Sequence, residues 1–224
     1  ASTAPGADAG LLSDVNINGT AALLEGAALT SVDTFIFASS CSVYGFPPER
    51  LPCPENTPLV STGPFSMSKI VSEELCFEAL EKTGMRISVI RMPPALGPGF
   101  QDELFSRWMI ERAESNLPVF LHGNKYTRHF ADLADCARAF ILAASKEESL
   151  GQCFNVAYAK PSTDEQLAKA ITRSARSFSI TLSLPPPVFE FGLRVMRSSG
   201  MEPFDSPEAE QAFYSDRKST RLNS

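Results

Sequence analysis

Apolar residues in the first half of the chain fall into short continuous runs and into longer segments with helical spacing. Residues 34–38 (Thr-Phe-Ile-Phe-Ala) form a short, almost wholly apolar run, which is typical of a parallel strand covered on both faces. Residues 85–90 are predicted as the next strand. Apolar positions between residues 13 and 30, with small residues between them, predict a helix packed closely against a sheet.

A long helix is predicted between these two strands. It follows a proline-rich segment at residues 46–64, which must be irregular because its prolines prevent a helix from continuing. Ser61 or Thr62 is the predicted cap, Pro64 stands in the first turn, and Gly84 ends the helix. Strand, helix and strand in this order form a right-handed crossover. The predicted fold class is therefore α/β, with a doubly wound parallel sheet of the Rossmann type.

The second half of the chain is predicted to form a smaller α/β lobe. Prolines and glycines between residues 93 and 99 interrupt regular structure and mark the change of lobe. Beyond them the pattern predicts helices at residues 102–115, 133–145 and 163–174, strands at 117–121 and 153–157, and an amphipathic segment at 188–197.

The composition excludes several classes of protein. The 224 residues are 43% hydrophobic and 21% charged, enough apolar material for a buried core, so the chain is not predicted to be disordered. A net charge of −6 gives no basic surface for nucleic acid, and no apolar run approaches the roughly 18 to 20 residues that cross a membrane. Five scattered cysteines without a Cys-x-x-Cys pair predict reduced thiols, a cytoplasmic protein and no metal site.

Five short motifs occur in an order that one enzyme family shows. They are Asn16 to Thr20, Ser39 to Gly45, Pro64 to Lys69, Arg91 to Gly99 and Arg128 to Asp135, which resemble the family patterns N-x-x-G-T, S-S-x-x-V-Y-G, P-Y-x-x-S-K, R-P-x-x-x-x-G-P-G and R-D-F-x-x-V-x-D. Together they resemble the extended short-chain dehydrogenase/reductases, and among them the NAD-dependent epimerase/dehydratase family that acts on nucleotide sugars. Asn155-Val156 adds a weaker sixth match.

The resemblance implies a division of the chain by function. Residues 1–92 correspond to the C-terminal half of the NAD-binding Rossmann domain, and residues 93–215 to a substrate-binding lobe whose helices return to the sheet. Residues 216–224 look like a reading frame through a sequencing adapter and are predicted to be non-native.

The resemblance also implies catalytic roles. Ser40 matches the serine or threonine whose hydroxyl binds the reacting oxygen of the substrate, with a strand-end hydroxyl that binds a backbone amide as the alternative. Lys69 matches the lysine that holds the cofactor ribose and lowers the pKa of the catalytic tyrosine; the alternative is a solvated surface lysine. Phe65 occupies the position of that tyrosine, four residues before Lys69 on the same helix face.

Further contact residues follow from the same motifs. Ser39 and Pro93 are expected beside the cofactor, and Cys41, Ser42 and Arg128 beside the substrate. The guanidinium of Arg128 suits a substrate phosphate, with a surface salt bridge as the alternative. Cys41 and Ser42 stand where dehydratase members carry an Asp-Glu pair, and neither can do that carboxylate chemistry, so an epimerase or a reductase is favoured over a dehydratase.

Two departures from the family pattern limit the expected activity. The sequence contains no Gly-x-x-Gly-x-x-Gly loop to hold a dinucleotide pyrophosphate. The resemblance therefore implies that the first βα units precede residue 1, and that NAD or NADP is bound by the full-length form but not by this chain. In addition, Phe65 has no proton to exchange, and loss of a positioned acid/base typically costs about 10²–10⁴-fold in rate.

Several other chemically capable residues are expected to be structural. Asp132 and Asp135 fit a helix start. His122 and His129 are single histidines of loops or surfaces. Trp108, with Phe105 and Met109, fits a helix core. Tyr44 stands near the active turn and could supply the missing proton, although in the pattern it resembles a packing residue.

The leading interpretation is a partial, weakened epimerase/dehydratase-like protein that oxidises and reduces a sugar carbon of a nucleotide sugar. One alternative is a non-catalytic NAD(P)-binding regulatory relative. Another is a hydroxysteroid or flavonoid-type reductase, which the V-Y-G turn and the long proline loop disfavour. Family analogy also implies a homodimer that forms through the helix bearing Lys69 and the helix before it.

Overall fold

A computed structural model describes residues 8–45, 53–98, 105–122 and 127–198. Its helices are α1 (Ala9–Leu12), α2 (Gly19–Leu29), α3 (Pro64–Thr83), α4 (Phe105–Glu114), α5 (Leu133–Ser145), α6 (Asp164–Ser174) and α7 (Pro186–Ser198). Its strands are β1 (Thr34–Ser40), β2 (Arg86–Met92), β3 (Ala95–Leu96), β4 (Val119–His122), β5 (Thr127–Arg128), β6 (Ala131–Asp132), β7 (Cys153–Asn155), β8 (Ser162–Thr163) and β9 (Thr181–Leu184). A π-helical segment at Ser13–Asn18 joins α1 to α2, and 3₁₀ turns lie at Cys41–Tyr44 and Glu147–Ser149.

The chain divides into two compact units. The described residues of the first are 8–45, 53–98 and 130–158, and those of the second are 105–122, 127–129 and 159–198. Residues 130–158 pack with the first unit, although they lie beyond the predicted division at residue 92. The predicted division at residue 92 separates a cofactor-binding part from a substrate-binding part and does not describe packing units, so it stays a prediction. The predicted non-native tail, residues 216–224, lies outside the described residues.

A three-stranded parallel sheet in the order β1-β2-β7 organises the first unit. β1 and α3 lead into β2 as a parallel βαβ unit, which confirms the predicted crossover. Helices α2 and α3 pack on this sheet through an apolar cluster of Leu24, Ala27, Phe37, Cys76, Met85, Ile87 and Val89. Helix α5 also contacts β1 and β2.

β1 is less covered than its apolar sequence predicts. Phe37 and Ser39 are buried, Ile36 is half-buried and Ala38 is exposed. Because successive side chains of a strand point to opposite faces, Phe37 and Ser39 share one face of the sheet. That face meets α3, as the contact between Ser39 and Glu73 shows.

The ends of α3 follow from local chemistry. Gly84 adopts a left-handed conformation with φ of 70° and donates its N–H to the Leu80 carbonyl, which ends the helix as predicted. Neither Ser61 nor Thr62 caps its start. Instead the Ser66 hydroxyl, in the first turn of α3, accepts the N–H groups of Thr62 and Gly63 at 3.0 and 3.1 Å. The start of the helix is therefore held by a side chain of the helix itself.

The helix predicted at residues 13–30 starts earlier and is irregular. Asp8 caps it by accepting the N–H of Gly10 at 2.8 Å, and its π-helical segment surrounds the buried Asn16. The side-chain amide of Asn16 donates to the Ser68 hydroxyl at 2.9 Å, and the backbone carbonyl of Asn16 accepts the Ser72 hydroxyl at 2.9 Å. These bonds tie the first helical segment to α3.

The second unit has a core of its own. β4 and β9 pair in parallel, and the buried Met109, Val119, Leu121 and Ala168 pack with Trp108, Leu167 and Ile171. The Trp108 ring lies in this cluster with Arg112 above it, which confirms a core role. Helix α6 begins in a capping box in which Thr163 and Gln166 exchange hydrogen bonds.

Candidate active site

The carboxyl end of β1 carries two serines with different partners. The buried Ser39 hydroxyl donates to the Glu73 carboxylate on α3. The Ser40 hydroxyl accepts the N–H of Ser42 at 3.2 Å and so caps the following 3₁₀ turn. Ser40 therefore makes the structural contact that was its alternative role, while it stands at the strand end where open α/β sheets place their ligands.

Lys69 is buried at the same strand end, with 5% of the residue exposed. Its Nζ donates to the Ala38 carbonyl at 2.9 Å, and lies 5.2 Å from the centre of the Phe37 ring and 5.8 Å from that of Phe65. Burial lowers the pKa of Lys69 to about 8, although the charge of Glu73 acts in the opposite direction. The alternative of a solvated surface lysine is therefore wrong.

Phe65 places an aromatic ring beside this ammonium but no hydroxyl. The residue lies in the first turn of α3, is half-buried, and shares a helix face with Lys69 one turn later. The structure thus brings together Phe65, Lys69 and the end of β1.

A buried ion pair lies next to Lys69 along α3. The Nε of Arg91 donates to both Glu73 carboxylate oxygens, at 3.0 and 3.2 Å, and its Nη2 donates to Oε2 at 2.6 Å. Arg91 is 5% and Glu73 2% exposed. Burial alone would lower the pKa of Arg91, but its hydrogen bonds to Glu73 and Tyr44 raise it.

Arg91 also fixes the loop before α3. Its Nη1 donates to the Tyr44 hydroxyl at 2.7 Å and to the Glu55 carbonyl at 2.9 Å. Asn155 on β7 donates its backbone N–H to the Glu55 carboxylate at 3.0 Å and its amide to the Cys53 carbonyl at 2.9 Å. The ion pair is therefore the centre of a network that joins α3, β2 and β7. The network also includes the 3₁₀ turn that contains Tyr44 and the described end of the proline-rich loop.

Tyr44 belongs to this network. Its hydroxyl donates to the Asn155 amide oxygen at 2.8 Å and accepts from Arg91, whose guanidinium also lies 5.0 Å from the ring centre. Burial raises the pKa of Tyr44, against the effects of Arg91. The Tyr44 hydroxyl thus has both a donor and an acceptor within the protein, which fits the packing role; that Tyr44 could supply the missing proton stays an untested alternative.

Three further predicted residues lie beside the strand end. The Cys41 thiol donates to the Arg91 carbonyl at 3.6 Å, and burial, followed by the charge of Cys53, raises its pKa to about 12. The Ser42 hydroxyl oxygen is buried and has no hydrogen-bond partner among the residues that the structure describes. Pro93 is buried immediately after β2. Contacts of these residues with a ligand stay predictions.

The remaining candidates divide between structural roles and undescribed side chains. Asp132 caps α5 by accepting the Ala134 N–H at 2.7 Å, and Asp135 forms an ion pair with Arg138, as expected at a helix start. The backbone of Arg128 pairs with Ser162 in the second unit. The side chains of Arg128, His122 and Phe105 lie outside the described part.

Sequence reasoning did not single out Glu73 or Asn16 as functional. The sequence signal that could have identified Glu73 is its position four residues after Lys69, which places an acidic residue on the buried face of the same helix. Arg91 appeared only as part of a motif, although an arginine that directly follows an apolar strand core requires a partner once buried. Pairing β2 with α3 needs tertiary contacts that the sequence does not display.

The described residues hold neither a metal-binding cluster nor a membrane span. Within those ranges, no group of three or more His, Cys, Asp or Glu side chains could hold a metal ion. In the same part of the chain, every helix is too short or too polar to span a membrane.

The parallel sheet β1-β2-β7 with helices packed on it is the architecture of a Rossmann-type α/β protein. A family model for the NAD dependent epimerase/dehydratase family matches residues 4–157, and the chain belongs to this family.

Curated relatives include an uncharacterized UDP-glucose epimerase, YtcB, of Bacillus subtilis (strain 168), which is 28% identical over 142 residues, 63% of this chain and 44% of that protein. A putative UDP-glucose 4-epimerase of Methanocaldococcus jannaschii is 27% identical over 159 residues, 64% of this chain and 52% of that protein. The chain thus spans about half the length of these curated relatives.

Solved structures show the same fold. A UDP-glucose 4-epimerase with UDP-glucose from Thermotoga maritima superposes with a TM-score of 0.75 at 23% identity, over 99% of this chain and 76% of that one. A UDP-glucose 4-epimerase complex with NAD from Thermus thermophilus gives a TM-score of 0.68 at 22% identity, over 91% and 70% of the two chains.

Proposed function

We propose that the chain forms part of a nucleotide-sugar epimerase or reductase that uses NAD or NADP and transfers hydride at a sugar carbon. The names of the relatives support a UDP-sugar as the substrate, and family membership supports the cofactor. In the full-length protein, Phe65 is proposed to leave this chemistry slow, because the family's proton-transfer tyrosine has no counterpart there.

The observation that carries the proposal is the setting of Lys69. A buried ammonium bound to the carbonyl of a β1 residue, with the Phe65 ring 5.8 Å away, supports the proposal that this is the catalytic position of the family without the phenolic oxygen. An ammonium group suits the hydroxyls of a cofactor ribose, so the residues present fit the nicotinamide end of a dinucleotide. A bound cofactor would supply hydride acceptance and return. Dimer formation through α2 and α3 stays a proposal from family analogy.

Replacing Phe65 with tyrosine tests the proposal. We expect Phe65→Tyr to raise turnover of a UDP-sugar by the full-length protein at least about tenfold, because it restores a positioned acid/base. Phe77→Tyr is a matched control, since it adds a hydroxyl to another partly buried ring of α3, within the apolar cluster. High turnover with Phe65 unchanged would show that proton transfer does not depend on this position.

The regulatory alternative predicts a different result. A non-catalytic relative would bind NAD(P) in the full-length form and show no turnover of any UDP-sugar with either residue at position 65. Measuring cofactor binding by calorimetry beside turnover separates the two functions.

A further inference from the structure

We propose that the buried ion pair of Glu73 and Arg91 positions the Ser40 hydroxyl for the proposed reaction. Ser40 ends β1, and the 3₁₀ turn that follows it runs to Tyr44. Glu73 binds the residue before Ser40, and Arg91 binds the last residue of the turn. The inference rests on the proposed function. Because both side chains are buried, they act here as positioning residues and not as groups that touch a ligand.

Two side chains of α3, one helical turn apart, bind consecutive residues of β1 just before Ser40. The Lys69 amine donates to the Ala38 carbonyl at 2.9 Å. The Glu73 carboxylate accepts the hydroxyl of Ser39. The hydrogen bonds between β1 and β2 fix the strand within the sheet, whereas these two bonds fix its end relative to α3.

Arg91 orients the Glu73 carboxylate and binds the turn at the same time. Its Nε and Nη2 donate to the carboxylate at 3.0 and 2.6 Å, a paired contact that sets the orientation of the acceptor. Its Nη1 donates to the Tyr44 hydroxyl at 2.7 Å, and its backbone carbonyl accepts the Cys41 thiol at 3.6 Å. One ion pair therefore holds the chain on both sides of Ser40.

The Ser40 hydroxyl moves with this turn, because it accepts the N–H of Ser42 within the turn at 3.2 Å. Displacement of a reacting group by about 1 Å can cost roughly 10²-fold in rate. Loss of a contact to the ion pair should therefore lower kcat more than it changes the binding of cofactor or substrate.

This inference gives Ser39 a role that differs from the one implied by the family resemblance. The resemblance places Ser39 beside the cofactor. In the structure the residue is 4% exposed and its hydroxyl donates to Glu73. A cofactor contact predicts that removal of the hydroxyl raises the Kd of NAD, whereas a positioning role predicts a loss in kcat.

The first test removes the Ser39 hydroxyl from the full-length protein carrying Phe65→Tyr. With the UDP-sugar that this protein turns over fastest, we expect Ser39→Ala to lower kcat at least about tenfold. The Kd of NAD, measured by calorimetry, should change much less. Ser39→Thr keeps a hydroxyl on the same carbon and should restore most of kcat.

Ser88→Ala is the matched control for Ser39→Ala. Ser88 is another buried serine of the same sheet, and its hydroxyl donates to the Ser149 carbonyl at 2.6 Å, away from the turn after β1. We expect it to leave kcat nearly unchanged while it lowers the denaturation midpoint. A Ser39→Ala protein that loses no more kcat than Ser88→Ala, or that loses only affinity for NAD, would overturn the inference.

The second test asks whether Ser39 and Tyr44 act through the same ion pair. Glu73 and Arg91 are left unchanged, because removal of one partner of a buried pair destabilises the fold. Tyr44→Phe instead removes the hydroxyl that Arg91 binds and keeps the ring. Groups that share one network give non-additive effects, so the loss in kcat of the double variant should be at least about threefold smaller than the product of the single losses.

Losses in kcat that simply multiply would show that the two hydroxyls act independently, which would refute the inference. The positioning role and the proposed function also fail in different ways. If Phe65→Tyr turns over a UDP-sugar and Ser39→Ala leaves kcat unchanged, only the positioning role is wrong. If Phe65→Tyr turns over no UDP-sugar, the proposed function is wrong, and the positioning role that rests on it is wrong as well.

Discussion

At the scale of single residues, the site is built from charged groups whose contacts with one another cannot be read from the sequence. The motifs predicted Lys69, Ser40 and Phe65, since each stands at a fixed place in a short pattern. They did not predict that Glu73 would neutralise Arg91 beside them, because that pair joins a helix to a strand. Removing one partner of such a buried pair typically costs roughly 3–5 kcal/mol, so the pair constrains how α3 meets β2.

Burial of Lys69 predicts a pH-dependent stability. Its pKa is about 8 in the folded chain and 10.5 when the side chain is free in water, so between these values the unfolded chain binds more protons. Stability from this group therefore rises as pH increases from about 8 to 10.5. Relative to Lys69→Met, the free energy of unfolding should rise by about 2 to 3 kcal/mol over that window.

Urea unfolding of both proteins at about pH 7 and about pH 10 measures this difference. Comparison with Lys69→Met is needed because burial raises the pKa of the Cys41 and Cys76 thiols to about 12, which lowers stability in both proteins once an unfolded thiol would ionise. Lys82→Met should show the same pH dependence as the unchanged chain. A constant difference between the chain and Lys69→Met would contradict the lowered pKa.

At the scale of elements, local signals predicted the long helices and strands well. α5 spans residues 133–145 as predicted, and α3 ends at Gly84 for the predicted reason. The two-residue strands β3, β5, β6 and β8 were not predicted, because a pair of residues carries no periodicity. The π-helical segment at Ser13–Asn18 was also missed; Asn16 within it makes hydrogen bonds to Ser68 and Ser72, tertiary contacts that the sequence does not display.

Gly97 shows an element contact that allows no side chain. A Cβ at this position would lie 2.6 Å from the Cβ of Leu133, the first residue of α5. Neither atom can rotate away, so the backbone would have to move. We expect Gly97→Ala to lower the free energy of unfolding by roughly 1–3 kcal/mol.

Gly26→Ala is the matched control for this substitution. Gly26 lies within α2, where an added Cβ meets nothing within 4 Å, and alanine should raise stability by about 0.5–1 kcal/mol. Denaturant unfolding of both variants gives the comparison. Equal effects of the two substitutions would show that the approach of residue 97 to α5 is not tight.

At the scale of the whole molecule, chain order is a poor guide to packing. The sheet takes its third strand from β7, which lies far beyond β2 along the sequence, so residues 130–158 join the first unit. The alternation of helices and strands predicted the α/β class, but it did not predict which later strand pairs with β2. That choice depends on contacts such as Arg91 with Asn155, which pair across the two strands.

The order β1-β2-β7 leaves β1 with a hydrogen-bonded neighbour on one side among the described strands. An edge strand with the sequence Thr-Phe-Ile-Phe-Ala is a template for pairing with another chain. We therefore expect the isolated 224-residue chain to be marginally stable and to associate with increasing concentration. A charge at the edge should weaken this association, so Thr34→Lys is predicted to lower it.

Ala170→Lys, an exposed position on α6 in the second unit, adds the same charge away from the edge and should leave the association unchanged. Sedimentation velocity over a range of concentrations compares the three proteins, and calorimetry measures their stability. A monomer at every concentration, or cooperative unfolding at an ordinary mesophile temperature of about 45–65 °C, would show that β1 is not an open edge in the isolated chain. Equal loss of association in both variants would assign the effect to net charge, because only Thr34→Lys places the charge on β1.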